Sequence, residues 1–124
     1  MKITSFNPLI VTQKNEELIA LFEELGFERR RQQNNIADQD ITDIVMRHPD
    51  GFRVNIIETQ DLPRETLTGI RMNVDNFDEA YQLLTSRGFT AAPGTEIIDT
   101  GSAKALLMIS PSKTLIELIQ HIHK

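Results

Sequence analysis

Cysteine and tryptophan are absent from the chain, and tyrosine occurs once. The lack of cysteine removes disulfides, thiolate nucleophiles and cysteine-based zinc centres together, and it fits a cytoplasmic protein. The shortage of aromatic residues removes the stacking platforms on which single-stranded nucleic acid is held. No apolar run approaches the ~20 residues that span a bilayer. The opening MKITSFNPLIVTQ has neither a long apolar stretch nor a small-residue cleavage site, so it reads as mature protein. Basic charge is also in deficit: 13 Lys and Arg against 18 Asp and Glu give a formal net charge of −5. That balance argues against nucleic acid, whose binders carry a basic face. The one basic run, Arg29-Arg30-Arg31, lies just past an expected helix end, where positive side chains complement the helix dipole and face water. A G-x-S-x-G elbow is missing, and Gly94 and Gly101 stand alone, so nothing cradles a phosphate.

What is present is an ordinary globular composition, 40% hydrophobic and 25% charged. The 124 residues fit a single domain, since soluble domains cluster at ~100–150. A chain of that size buries roughly two-thirds of its unfolded surface, so its core needs neither disulfides nor a metal.

Within that length the chain repeats itself. Glu16–Glu28, EELIALFEELGFE, aligns with Asp78–Thr90, DEAYQLLTSRGFT, 62 positions later. His48–Glu58, HPDGFRVNIIE, aligns with Ser110–Gln120, SPSKTLIELIQ, at the same offset of 62. Leu18, Leu21, Phe22 and Leu25 form an apolar stripe at helical spacing. Gly26 ends that helix in the left-handed conformation, and Phe27 folds back over it. Phe77, Ala80, Tyr81 and Leu84 repeat the plan up to Gly88, with Asp75 or Asn76 as N-cap. Strands are expected at Ile3–Val11, Ile41–Arg47, Phe52–Glu58, Gly69–Val74, Ala105–Ile109 and Thr114–Gln120, two of the hairpins turning at His-Pro-Asp-Gly and Ser-Pro-Ser-Lys. The polar Gln60–Thr68 suits a linker. The expected organisation is a single domain, 1–124, with module one at 1–60, a linker at 61–68 and module two at 69–124. Residues 93–103 read as a flexible connector around a short strand.

The motifs Val74-Asp75-Asn76-Phe77-Asp78-Glu79-Ala80, closed by Gly88-Phe89, and Ser110-Pro-Ser-Lys-Thr-Leu-Ile-Glu-Leu118 resemble "V-D-D-x-D-E-A … G-F" and "D-P-D-G-N-x-I-E-L". These patterns mark the vicinal oxygen chelate superfamily, the glyoxalase/bleomycin-resistance/dioxygenase group, and His48-Pro49-Asp50-Gly51 resembles the same turn. The resemblance implies an α+β fold in which two tandem β-α-β-β-β modules form a curved mixed sheet, a cup, with the helices outside. It also implies four metal-ligand positions, on the first and last strand of each module. Here they hold Phe6 or Asn7, Asn55, Gly69 and Glu117. Only Glu117 is a strong ligand, so the expectation is a site with no metal cofactor; a divalent metal is the alternative.

Alternation along the strands places Ile119 and His121 beside Glu117, Arg53 and Ile57 beside Asn55, and Arg71 and Asn73 beside Gly69. Under one register Phe6, Pro8 and Ile10 join that face. The candidate ligand-binding set is therefore Phe6, Asn7, Arg53, Asn55, Ile57, Arg71, Asn73, Glu117, Ile119 and His121. Two arginines favour an anionic or carbonyl-rich ligand, because guanidinium offers paired planar donors; otherwise they pair with Glu117, Glu58 or solvent. Glu117 is the candidate catalytic residue, as a general base, or else a structural partner of an arginine. The His121-x-His123 pair reads as a tail feature. The leading expectation is a metal-independent small-molecule binder, cytoplasmic and homodimeric, with no nucleic-acid or membrane partner. The alternative is an enzyme: a lyase or isomerase of the glyoxalase type, or a dioxygenase relative.

Overall fold

The strands and helices below are those of a computed structural model that describes residues 1–60 and 66–122. His123 and most of the expected linker lie outside the described residues. Two compact units are formed, Asn7–Thr68 and, separately, Gly69–Lys124 joined by Met1–Phe6. Each unit carries one helix and its own part of strand β1 (Ile3–Thr12).

In Asn7–Thr68, helix α1 (Glu16–Glu24) starts because Asn15 Oδ1 accepts the Leu18 N–H at 3.0 Å and Glu16 and Glu17 sit in its first turn, near the positive end of the helix dipole. It stops at Gly26, whose φ of +101° a side chain would resist, and the Phe27 N–H closes onto the Phe22 carbonyl at 2.9 Å. Strands β2 (Glu28–Gln33), β3 (Ile41–Arg47) and β4 (Arg53–Thr59) run antiparallel, and β4 pairs in parallel with β1, Leu9 opposite Asn55. Beneath α1 lie Ile19, Ile44, Met46, Val54 and Ile56, with Ile10, Phe22 and Phe27 against them. The helix touches its sheet through Ile19 and Phe22, while Leu21 and Leu25 are exposed. The expected stripe was thus turned too far: a nine-residue helix lays down only a narrow apolar line. The arginine run also needs correcting. Arg29–Arg31 belong to β2, an exposed strand with a bulge between Arg29 and Arg31. Pairing with β3 extends the chain there, though the side chains do face water.

In the other unit, β5 (Leu67–Val74) pairs in parallel with β9 (Leu115–His121), which pairs antiparallel with β8 (Ala103–Ile109). Two short strands, β6 (Thr90–Ala91) and β7 (Ile98–Asp99), both pair with β8. Helix α2 (Phe77–Ser86) is capped by Asn76, the second of the two expected candidates, whose Oδ1 accepts the Glu79 N–H at 3.1 Å. Its Phe77 and Ala80 bury against Met72, Val74, Leu106, Met108 and Leu118. The Met1 ammonium donates to Glu79 Oε1 at 2.9 Å, and that hydrogen bond, then the carboxylate's charge, raises its pKa above the ordinary value.

Position by position, the two β-α-β-β-β repeats coincide at the offset of 62 read from the sequence. Leu9 pairs with Asn55 and Arg71 with Glu117; Val45 pairs with Asn55 and Leu107 with Glu117. The turns agree as well: the His48 N–H bonds the Phe52 carbonyl at 2.8 Å, and the Ser110 N–H bonds the Thr114 carbonyl at 3.0 Å. The expected fold class, two β-α-β-β-β modules with mixed sheet pairing, is the observed one.

Candidate functional site

The face of each sheet turned away from its helix carries the sequence-derived candidates other than Phe6. In the second repeat, Arg71 and Glu117 are direct cross-strand partners on β5 and β9, and Arg71 Nε donates to Glu117 Oε1. Both are almost wholly buried, at 6% and 7% exposure. Such a pair is costly to desolvate, and an apolar pair of similar volume usually serves stability as well or better. Two residues along β5, Asn73 Nδ2 lies 2.6 Å from Ser5 Oγ, while Asn73 Oδ1 is buried with no hydrogen-bond partner among the described residues. An unsatisfied buried acceptor costs about 1–3 kcal/mol, so a donor on a bound molecule would be favoured there. Ile119 is buried next to Glu117 on its strand face, and His121 is exposed at the strand end.

In the first repeat, Asn55 and Ile57 are buried and Arg53 is exposed at the start of β4. The open choice between Phe6 and Asn7 is decided by Ile10, which packs into the cluster beneath α1. Alternation along β1 then groups Phe6 and Pro8 with Ile10, and Ser5 and Asn7 with Leu9 and Val11. Phe6 is 56% exposed. Of the two registers left open, the one with Asn7 on the site face is therefore observed, and Phe6 falls with Ile10 on the helix side. Ser5, Leu9 and Val11 were missed for the same reason, although their alternation with Asn7 was there to be read.

The four positions that the family pattern reserves for metal do not fit one. In the second repeat a Cβ on Gly69 would lie 2.3 Å from the Leu115 carbonyl oxygen, so no ligating side chain can stand there, and Glu117 is engaged by a guanidinium. In the first repeat the position on β4 is the neutral Asn55, with the apolar Leu9 and Val45 beside it. Among the described residues no three His, Asp or Glu side chains are gathered as a metal would need. What the second repeat's cluster can do is bind: a buried cation and carboxylate, an amide and a hydroxyl, bordered by Leu115 and Ile119.

No family model matches the chain, and no curated protein matches it in sequence. Solved structures do. Methylmalonyl-CoA epimerase from Mycobacterium tuberculosis superposes with a TM-score of 0.69 at 17% identity, covering 98% of this chain and 90% of that one. A glyoxalase/bleomycin resistance protein/dioxygenase superfamily member from Vibrio splendidus gives 0.61 at 16%, covering 96% and 99%. A glyoxalase I variant from Zea mays gives 0.68 at 13%, covering 98% of this chain and 45% of its own. At such identities the likeness is one of fold. The chain has the fold of the vicinal oxygen chelate superfamily, as its repeated motifs imply.

Proposed function

We propose that the protein binds a small, anionic or carbonyl-rich molecule on the non-helical face of its sheet, through Arg71, Asn73 and Glu117, without a catalytic metal. The observation that carries this reading is the buried Arg71–Glu117 pair on a face that the helix-side core does not use. Stability alone gives little reason to keep such a pair, whereas a guanidinium in a low-dielectric setting is an effective partner for carboxylate and carbonyl groups. The unsatisfied Asn73 Oδ1 asks in addition for a hydrogen-bond donor, such as a hydroxyl, on the same ligand. A solved neighbour, the Streptomyces coelicolor methylmalonyl-CoA epimerase, holds 2-nitronate-propionyl-CoA, so the fold accommodates ligands with anionic and carbonyl oxygens. A cytoplasmic homodimer is part of the same proposal.

The second reading is an enzyme, a lyase or isomerase with Glu117 as proton acceptor. The epimerase and glyoxalase I neighbours favour it, and the Arg71 contact on that carboxylate weighs against it.

Calorimetric titration with hydroxymalonate, a small dicarboxylate with a hydroxyl donor, tests the proposal. Saturable binding by the wild-type chain, lost in the Arg71→Leu/Glu117→Asn variant, is expected. Binding that persists in the variant removes these residues from the site. Native mass spectrometry of the same untagged protein is expected to give a metal-free dimer; one tightly held divalent metal per chain would overturn the metal-free reading and bring lyase, isomerase and dioxygenase assays to the front.

A further inference from the structure

The offset of 62 also relates two groups of side chains on the helix side of the sheets, and the repeats use them differently. In the second repeat, Lys104 and Gln120 are cross-strand partners. Gln120 Oε1 accepts the Phe77 N–H at 2.7 Å. Lys104 Nζ lies 4.8 Å from the centroid of the Phe77 ring and 3.2 Å from Asp78 Oδ1. Ammonium, ring and carboxylate together occupy the space where α2 begins.

In the first repeat the same cross-strand partners are Thr42 and Glu58. Glu58 Oε2 accepts the Asn15 N–H at 3.2 Å, the counterpart of the Gln120 bond, and Glu16 stands where Asp78 does. Threonine, however, replaces the lysine, and asparagine replaces the phenylalanine. Stem and ring are gone, and a polar cleft of about 240 Å³, with the buried Ile19 and Ile44 beneath it, is walled by Glu16, Gln32, Asn34, Thr42 and Glu58. Lys14 and Arg29 also line it. Lys14 reaches Glu16 only at 3.8 Å, with both side chains about two-thirds exposed, a contact of little strength.

We propose that this cleft is a second binding site, independent of the one above, and that it takes a short ω-amino acid. The second repeat supplies the precedent in its own Lys104, an ammonium on an aliphatic stem held beside a carboxylate. In the cleft the ligand's ammonium meets Glu16 and Glu58, its stem takes the space that the Lys104 stem fills in the second repeat, and its carboxylate meets Lys14 and Arg29. Lined by two cations and two anions, the cleft is complementary to a zwitterion; a diamine would set its far end against like charge.

The test is titration of 5-aminopentanoate into methyl-labelled protein, followed by the NMR signals of Ile19 and Ile44. Saturable shifts are expected, with none from pentanoate, which lacks the amine. Glu58→Gln should weaken binding about tenfold or more by removing a charge-assisted bond, while the glutamine keeps the helix-end contact as Gln120 does. Thr42→Lys should abolish binding by filling the cleft from within. Equal shifts from pentanoate, binding that survives both substitutions, or no shifts with 5-aminopentanoate at all would each overturn the proposal.

Discussion

At matching points of matching strand pairs, the first repeat sets Leu9 against Asn55 and the second sets Arg71 against Glu117. Backbone register, strand order and turn bonding agree around both, so the backbone does not require the ion pair. A leucine and an asparagine already show what that position accepts when only packing is asked of it. The difference teaches where to look for function: a sheet built twice has placed its costly groups on one side of the repeat only, and the second repeat carries the buried charges.

The comparison can be broken first at that pair. Glu117→Ala takes the carboxylate from a buried guanidinium, with an expected loss of about 3–5 kcal/mol, measured by urea denaturation. Arg71→Leu/Glu117→Asn copies the first repeat into the second and should leave stability unchanged or raise it by about 1–4 kcal/mol. A large loss in the double variant would mean that the pair is needed for the fold. Next in size is Gly69→Asn, which gives the second repeat the residue that the first holds at Asn7. Its Cβ would overlap the Leu115 carbonyl, and forcing the strands apart should cost about 1–3 kcal/mol, read in the same assay. The smallest effect belongs to the turns. Gly51 has φ +96° and its counterpart Lys113 has φ +72°, a conformation that costs a side-chain-bearing residue roughly 1–2 kcal/mol. Lys113→Gly should therefore raise the thermal midpoint slightly and Gly51→Lys should lower it. Equal and opposite shifts would show that the two turns are energetically one design.

Much of the fold was legible because helix stripe, Gly-Phe exit and Pro turn are local patterns, and their repetition fixed which residues correspond. The helix-side row of Met72, Val74 and Leu118 followed from alternation alone. What the sequence hid has physical causes. Strand alternation tells faces apart but cannot set absolute register, so Phe6 and Asn7 stayed open until Ile10 was seen beneath α1. β2 reads as a charged run because both its faces are wet, which erases the period-2 signal. The closeness of Gly69 to Leu115 is a contact between distant segments that no window of sequence contains. Glu117 and Arg71 were both named from sequence, while their direct pairing required the β5–β9 register.

The split of β1 bears on how the chain folds as it is made. Met1–Phe6 belong to the same compact unit as Gly69 onward, and the Lys2 N–H bonds Asp75 Oδ1 at 2.6 Å while the Asp75 N–H bonds the Lys2 carbonyl at 3.0 Å. Met1–Phe6 thus wait for partners some seventy positions behind them, several seconds of synthesis at ~5–20 residues per second. The β1 residues of Asn7–Thr68 meet their β4 partners sooner, as Leu9 opposite Asn55 shows. Folding during synthesis should therefore complete Asn7–Thr68 first, with Met1–Phe6 held in reserve as the strand that the second repeat closes upon. Such long-range pairing also makes that closure the slow step.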